Sequence, residues 1–309
     1  MLLSVIIPSY QHSRYVISCI TAAINIPVRE KEILVIDDGS VDNSPELIKN
    51  WISAHSNGNY VRFISHENRG LVSVLNEGLA AVSGEYVYIV ASDDVLIPDG
   101  LWKILDALIH APHAGFAIGN ALAFHGDAEH PQATWLTYAE PHERFFRLSP
   151  LKRSAEIFLN YPVPLLIQAS VFKRSALMKV GGWDPELAWD DFPLFVKLLD
   201  AHPEMNTDFI YRPKLTIVKY RQHEFNTYKN FSRQVFMIIQ TLKSLCPEQL
   251  QDKAATRVYI RFSLSALKQK KFIQALQLIK TSIVDHGSVI TLKQLFFIIW
   301  SRIKYKLFV

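Results

Sequence analysis

Cysteine is nearly absent from this chain: its 309 residues contain only Cys19 and Cys246, far apart in the sequence. Two distant cysteines exclude a disulfide scaffold, and such sparing use of cysteine is typical of a reducing compartment. No group of cysteines and histidines has the spacing of a zinc site. The fold must therefore be stabilised by burial of apolar side chains.

Long apolar runs are also lacking. No uncharged apolar stretch reaches the roughly 20 residues that a helix needs to cross a bilayer. The longest candidate near the end, 295–300, is flanked by Lys293 and Arg302. The N-terminal apolar run follows no basic segment and ends at Pro8, so we expect a buried first strand and no signal peptide.

Charge of one sign is not in excess overall, but it is unevenly placed. The net charge is +4 and 49% of the residues are hydrophobic, which excludes a disordered chain and allows a substantial core. Residues 233–309 hold 13 Lys and Arg against 3 Asp and Glu, so the rest of the chain is acidic. The acidic charge of the chain before residue 233 disfavours binding to nucleic acid. The basic tail, 233–309, is expected to face an anionic membrane. A helical appendage with a charged outer face remains the alternative.

Strand and helix patterns alternate through the first 120 residues. Strands are expected at 3–7, 32–36, 61–65 and 86–91, and helices at 15–26, 44–53, 71–82 and 98–110. Continuous apolar strands separated by helices predict an α/β fold with a parallel sheet and helices on both faces. Such sheets bind ligands at the carboxyl ends of their strands.

The rest of the chain divides into an irregular middle and a helical tail. The stretch 125–147 is polar, aromatic and rich in histidine, and we expect a loop region over a binding cleft there. After Ser232 the pattern is helical to the end. The expected helices are 234–245, 253–269, 271–284 and 291–308.

Three pairs of adjacent carboxylates stand out, namely Asp37-Asp38, Asp93-Asp94 and Asp190-Asp191. The first two pairs directly follow apolar strands, which predicts that both lie at the carboxyl edge of the sheet. Adjacent carboxylates repel each other and are costly to desolvate, so a cation or strong donors usually hold them. Alone, each pair is equally compatible with a turn or a helix start. Together they favour a site for a divalent metal ion and a nucleotide.

The order of several motifs resembles that of family 2 glycosyltransferases with the GT-A fold, over about residues 2–225. The N-terminal motifs are 4–10 (SVIIPSY), 35–42 (VIDDGSVD), 68–71 (NRGL), 76–78 (NEG), 84–87 (GEYV) and 92–94 (SDD). The later motifs are 181–184 (GGWD) and 189–192 (WDDF). The ordered set is very specific, although no single motif is.

The resemblance implies how a nucleoside-diphosphate sugar, by default a uridine one, is held. Pro8, Ser9 and Tyr10 are expected to line the nucleoside pocket, with Tyr10 near the base. Asp38 is expected to bind the base or the ribose, and Arg69 to approach the nucleotide.

The same resemblance assigns the metal ligands and the base. Asp93 is expected to contact the ribose or the sugar, and Asp94 to coordinate Mn²⁺ or Mg²⁺, with His223 as a further ligand. Asp191 is expected to be the general base. Asp190 stands where the family has glutamate, so the shorter side chain is a departure from the pattern.

These expectations combine into one prediction. Residues 1–230 would form the catalytic domain, with a nucleotide-binding half at 1–120 and an acceptor half at 121–230, and 231–309 would form a basic helical region. The predicted activity is inverting transfer of a hexosyl or N-acetylhexosaminyl group to a glycan or lipid-linked acceptor in surface polysaccharide synthesis. The enzyme is expected in the cytoplasm, on the inner face of a bacterial inner membrane through 291–309.

Two other classes of function are alternatives to this prediction. A non-catalytic protein that binds nucleotide sugars could share the fold, but it would need no base such as Asp191. A nucleotidyltransferase usually has a glycine-rich, lysine-bearing phosphate loop near its first strand, and residues 9–13 supply none.

Overall fold

The computed structural model describes residues 2–55, 58, 60–126, 128, 131–160, 165–222 and 231–308. The chain separates into two compact units. One contains Met1–Pro150 with Pro164–His223, and the other contains Leu151–Val163 with Glu224–Val309. The domain division at residue 230 stays a prediction.

The N-terminal part of the first unit follows the predicted alternation of strands and helices. The strands are β1 (Leu3–Ser9), β2 (Lys31–Asp37), β3 (Val61–Ser65) and β4 (Tyr86–Ile89), and the helices are α1 (Val16–Ile24), α2 (Ser44–Ala54), α3 (Leu71–Ala81) and α4 (Pro98–Ile109). The four strands pair in parallel in the order β3-β2-β1-β4. Every residue of β1 is buried, as its unbroken apolar run predicted.

The remaining strands make the sheet mixed. They are β5 (Val95–Leu96), β6 (Phe116–Gly126), β7 (Pro131–Leu136), β8 (Ser170–Lys173) and β9 (Phe209–Gln222). In the described residues the sheet order is β3-β2-β1-β4-β8-β6-β9-β5, with β7 paired to β6. Strand β8 runs antiparallel to both β4 and β6, whereas β6 and β9 are parallel. The helices of this stretch are α5 (Glu140–Phe146), α6 (Pro150–Leu159), α7 (Arg174–Lys179) and α8 (Asp191–Ala201), of which α6 belongs to the second unit from Leu151 onward.

The expected loop at 125–147 is wrong. Strand β7 pairs antiparallel with the end of β6, and helix α5 follows and buries Phe145 and Phe146. Most described side chains of β7 are exposed, so the strand lacks the apolar alternation by which a sequence reveals one. Its backbone pairing with β6 is what defines it.

The second unit is helical, as predicted for the tail. Its C-terminal helices are α9 (Phe231–Leu245), α10 (Glu248–Lys268), α11 (Phe272–His286) and α12 (Ser288–Phe308). Helix α10 packs against the other three and contains the buried Arg257. The Arg257 Nε donates to Gln294 Oε1 of α12 at 2.8 Å, and its guanidinium lies 4.2 Å from the ring centre of Phe297. None of the described helices combines the length and the apolar character needed to cross a membrane.

Candidate active site

Three loops meet at the carboxyl end of the parallel strands. Ser9 at the end of β1 lies beside Asp37 at the end of β2. The N–H of Asp38 donates to the carbonyl oxygen of Ser9 at 2.9 Å, and the N–H of Ser92 donates to that of Pro8 at 3.2 Å. These bonds join the loops after β1, β2 and β4, so the predicted residues of all three loops lie on one rim of the sheet.

The buried carboxylate of Asp38 organises the loop that precedes α3. Its Oδ1 accepts the N–H of Arg69 at 2.7 Å, and its Oδ2 accepts the N–H of Gly70 at 2.9 Å. Asn68 Nδ2 donates to the Asp38 carbonyl at 2.9 Å. Gly39 has a φ of +76°, and a Cβ there would lie 2.6 Å from the Asn68 nitrogen, so only glycine fits. Each carboxylate oxygen of Asp38 keeps a lone pair for a ligand.

The loop after β1 presents Tyr10 to solvent while burying Ser9. It is tied to the loop after β2, because the N–H of Ser13 donates to Asp42 Oδ2 at 3.0 Å. Burial raises the pKa of Asp42, but hydrogen bonds from Ser44 and Ser13 outweigh it and lower that pKa to about 2. Asp42 therefore stays ionised and holds this loop in place at any physiological pH.

Asp94 is the most deeply buried acid of the second pair. Its Oδ1 accepts the N–H of Arg221 at 2.9 Å, whereas its buried Oδ2 has no hydrogen-bond partner among the described residues. Burial, followed by the charge of Asp93, raises the pKa of Asp94 well above its ordinary value, and Arg221 offsets part of that rise. His12 Nδ1 lies 3.8 Å from Asp93 Oδ1 and 2.8 Å from Ser92 Oγ.

Arg221 is a site residue that the sequence reasoning missed. Besides its N–H bond to Asp94, its Nε donates to the Asp93 carbonyl at 2.8 Å and its Nη1 to the Gly126 carbonyl at 2.9 Å. The buried guanidinium also lies over the rings of Tyr15 and Phe124, at 4.3 and 4.7 Å from their centres. Arg221 therefore anchors the Asp93-Asp94 turn to β9 and to the end of β6.

We expect Arg221→Met to lower the free energy of unfolding by about 2–4 kcal/mol, because the Asp93 and Gly126 carbonyl groups lose their donor and Asp94 loses the nearby positive charge. Chemical denaturation measures this loss. The matched control is Arg212→Met, an exposed arginine on the same strand, which should change stability by less than about 0.5 kcal/mol. Equal stability of the two variants would contradict the anchoring role.

Asp191 begins helix α8, at the same cluster of acids. Its Oδ1 accepts the N–H of Ile167 at 2.7 Å, and its other oxygen accepts no hydrogen bond from the described residues. Burial and then the charge of Asp190 raise the pKa of Asp191 well above its ordinary value. The Ile167 bond lowers that pKa, and the charge of Asp94 raises it further. Asp94 and Asp191 are therefore close enough for their charges to interact.

Two buried tyrosines hold the segment that positions Asp191. The N–H of Leu166 donates to the Tyr138 hydroxyl oxygen at 2.6 Å, and the Tyr88 hydroxyl donates to the Gln168 carbonyl at 2.9 Å. Burial raises the pKa of both tyrosines, with Asp191 a further cause for Tyr138 and Asp94 for Tyr88. The residue between these anchors, Ile167, is the one that donates to Asp191.

The tryptophans of the two later motifs differ in burial. Trp183, in the GGWD motif at 181–184, is 2% exposed and belongs to the core. Its backbone exchanges two hydrogen bonds with the Asn76 side chain. Trp189, directly before the acidic pair, is half-buried and stacks on Phe192 at 5.1 Å. His223 lies outside the described residues.

The side chains at the rim suit a divalent cation that is shared with a diphosphate. No group of three or more His, Cys, Asp or Glu side chains that could hold a metal on its own occurs in the described part of the chain. The buried and unpartnered Oδ2 of Asp94, however, needs a partner. Mg²⁺-type ions are commonly held by one or two carboxylates together with substrate phosphates, and Asp94 with neighbouring Asp93 fits that pattern.

The fold is that of the GT-A glycosyltransferases, which confirms the predicted fold class. Residues 1–349 of S. aureus TarS in complex with UDP-GlcNAc superpose with a TM-score of 0.60 at 16% identity, covering 96% of this chain and 89% of that one. A mannosyltransferase from Pyrobaculum calidifontis in complex with GDP-Man and Mn²⁺ gives a TM-score of 0.58 at 15% identity, covering 93% and 76%.

The family model described as "Glycosyl transferase family 2" matches residues 4–180, more than half of the chain. The chain therefore belongs to glycosyl transferase family 2, and its classification as a glycosyltransferase is confirmed.

Its curated relatives are polysaccharide synthases. Chondroitin synthase of Escherichia coli is 34% identical over 105 residues, which are 34% of this chain and 15% of that protein. Poly-beta-1,6-N-acetyl-D-glucosamine synthase of Staphylococcus epidermidis is 28% identical over 199 residues, 63% of this chain and 45% of that protein. The chain thus spans less than half the length of these relatives.

Proposed function

We propose that this chain catalyses inverting, metal-dependent transfer of one sugar from a nucleoside-diphosphate sugar to a hydroxyl group of a glycan or a lipid-linked acceptor. One observation carries the proposal. Asp94, with an unpartnered buried oxygen, lies within electrostatic reach of Asp191, whose second oxygen accepts no described hydrogen bond. One carboxylate can thus serve a cation at the diphosphate while the other is left for a proton.

In the proposed reaction Asp191 is the general base. Its carboxylate accepts the proton of the acceptor hydroxyl as that oxygen attacks the anomeric carbon. The new carbon–oxygen bond forms on the face opposite the bond to the diphosphate, which breaks, so a single displacement inverts the anomeric centre. The Ile167 N–H on Oδ1 fixes the carboxylate so that Oδ2 remains available.

The donor is held by the rim of the sheet in this proposal. Pro8, Ser9 and Tyr10 line the nucleoside pocket, and Asp38 and Arg69 bind the nucleoside side of the donor. This assignment is supported by the shared rim and by the lone pairs that Asp38 retains.

The cation is proposed to bind at the diphosphate of the donor, on the same rim of the sheet. Asp93 contacts the ribose or the sugar, and Asp94, joined by His223 from the family resemblance, holds Mn²⁺ or Mg²⁺. A bound cation of this kind offsets the negative charge that develops on the leaving diphosphate.

The relatives support the donor class and the pathway. One neighbouring structure contains UDP-GlcNAc and another GDP-Man, and a curated relative is a poly-N-acetylglucosamine synthase by name. We propose a uridine diphosphate sugar carrying a hexosyl or N-acetylhexosaminyl group, used in surface polysaccharide synthesis. We propose that the enzyme is located at the cytoplasmic face of a bacterial inner membrane, which it contacts through 291–309.

Nucleotide-sugar screening tests the function directly. A donor present at 100 times its Kd should stabilise the protein by about 2.7 kcal/mol, and only with Mn²⁺ or Mg²⁺ in the buffer. The donor that raises the Tm is then incubated with candidate acceptors, and nucleoside diphosphate release and the anomeric configuration of the product are measured. Stabilisation without turnover would favour the non-catalytic binding protein, and retention of configuration would overturn the single displacement.

Asp190→Asn is expected to shift the acid limb of the rate profile to lower pH. The charge of Asp190 raises the pKa of Asp191, so its removal lowers that pKa and keeps the base ionised in more acidic buffer. The pH dependence of kcat measures the shift, with turnover on the alkaline side changing little. An unmoved acid limb would show that Asp191 does not control it.

A further inference from the structure

Helix α11 has a second apolar face besides the one that packs against α10. Ala275 and Ser282 mark its buried side. Phe272, Ile273, Leu276, Ile283 and Val284 are exposed, with exposed fractions between 41% and 77%. At 100° per residue these five positions fall within one arc of the helix, and exposed Lys280 lies inside that arc. The polar residues Gln277, Thr281 and Asp285 form the neighbouring sector, between this arc and the buried side.

Helix α12 has the same arrangement in a stronger form. Thr291 and Ile298 are buried, and the opposite side of the helix is apolar. Its exposed large side chains are Val289, Leu292, Phe296, Ile299 and Trp300, with Phe297 at the edge and Lys293 among them. A solvent-facing helix normally places its polar residues outward, so this apolar face marks an interaction surface.

The charged side chains within the two apolar arcs are all positive. Helix α12 contains no Asp or Glu, and α11 contains only Asp285. Lys280 and Lys293 sit within the two apolar arcs, and Arg302, Lys304 and Lys306 follow in the last turns of α12. Apolar and aromatic side chains with interspersed lysines are what an interfacial helix needs, because lysines extend to anionic headgroups while the apolar side chains enter the boundary layer.

We propose that α11 and α12 together form a docking surface for an anionic lipid bilayer. This surface is larger than the membrane contact expected at 291–309, because α11 contributes its own apolar arc. A second copy of this chain is the poorer occupant, since a two-fold contact would bring two positively charged patches together with no acid inside either apolar arc to pair with the lysines. Anionic lipid complements that charge. The surface does not depend on the transfer reaction.

Vesicle flotation of the full-length protein tests the surface. We expect binding to vesicles of phosphatidylcholine with phosphatidylglycerol and little binding to phosphatidylcholine alone. Phe296→Ser and Leu276→Ser, both at positions 70% exposed, should each weaken the partition into anionic vesicles about tenfold. The double variant Lys280→Gln with Lys293→Gln should also bind anionic vesicles more weakly. In raised salt the unaltered protein should bind no better than this double variant.

Matched controls exist within the same unit. Phe236→Ser removes a phenylalanine that is 60% exposed on α9, and Leu151→Ser a leucine that is 83% exposed on α6. Lys253→Gln removes an exposed lysine of α10. These variants should bind vesicles as the unaltered protein does, and circular dichroism with the Tm should show that all variants are folded.

Three results would overturn the proposal. They are equal binding to neutral and anionic vesicles, equal loss in the test and control variants, or absence of vesicle binding. A concentration-dependent dimer that Phe296→Ser abolishes, without vesicle binding, would assign the surface to a second copy. If Phe296→Ser weakens vesicle binding and Leu276→Ser does not, the proposal that α11 contributes to the surface is contradicted. Donor turnover on a soluble acceptor should be unchanged by Phe296→Ser, so failure of the transfer reaction and failure of docking are separate outcomes.

Discussion

Asp191→Asn is expected to lower kcat for sugar transfer about 10²- to 10⁴-fold, the contribution of a positioned general base. Asparagine has nearly the same shape and can still accept the Ile167 N–H through its carbonyl oxygen, so the start of α8 should keep its geometry. The amide cannot take a proton from the acceptor hydroxyl. Donor affinity should stay within about twofold, because the residue acts only in the transition state.

Steady-state kinetics and isothermal calorimetry of the donor measure these two quantities separately. The matched control is Asp99→Asn, an exposed aspartate in the first turn of α4, which should leave both unchanged. The acid limb of the rate profile should also vanish in Asp191→Asn, since the raised pKa of Asp191 sets the pH below which the base is protonated. Near-normal turnover would assign the base to another residue.

Asp94→Asn is expected to weaken the Mn²⁺-dependent affinity for a nucleoside diphosphate at least about 100-fold. Loss of a residue behind a metal ligand typically costs 10- to 100-fold, and loss of the ligand itself should cost no less. Calorimetry with and without Mn²⁺ measures the change. Transfer should fall with it, because the leaving diphosphate loses the charge compensation that the cation supplies.

The stability of the metal-free protein separates this effect from misfolding. Burial holds the pKa of Asp94 well above its ordinary value of 3.8, so the folded state disfavours the ionised form. That penalty is absent in acid and grows as pH rises from about 4 through the raised pKa. Asp94→Asn removes it, and the Tm at neutral pH should not fall. A lowered Tm, or unchanged affinity with Mn²⁺, would count against the ligand role.

The acids and Arg221 form one electrostatic arrangement. At the turn after β4, the Asp94 carboxylate accepts the backbone N–H of Arg221, and the buried Arg221 guanidinium, which arrives from the end of β9, donates to the Asp93 carbonyl. Asp191 adds another carboxylate from α8, and the charge of Asp94 is one of the causes that raise the pKa of Asp191. A divalent cation would offset the negative charge of these carboxylates and of a bound diphosphate, so we expect metal and donor binding to be coupled.

The sequence by itself determined the α/β class, the four parallel strands and four helices of the N-terminal part, and the positions of the acidic pairs, whereas β5 and the start of β6 were not predicted. These features are local. Apolar runs such as 3–7 define buried strands, and a carboxylate that directly follows a parallel strand must emerge at its carboxyl edge. The ordered motifs gave the family for the same reason, since each occupies a short segment.

Only the tertiary structure decided which distant residues support the site. Arg221 and Asp93 are 128 positions apart, and no spacing rule brings them together. Trp183 is core because α3 approaches it, and β7 is a strand because β6 offers a backbone partner. The outward apolar faces of α11 and α12 also emerged only from packing. Helical periodicity shows where apolar residues lie around a helix, but which of them are buried depends on the neighbours that the fold supplies.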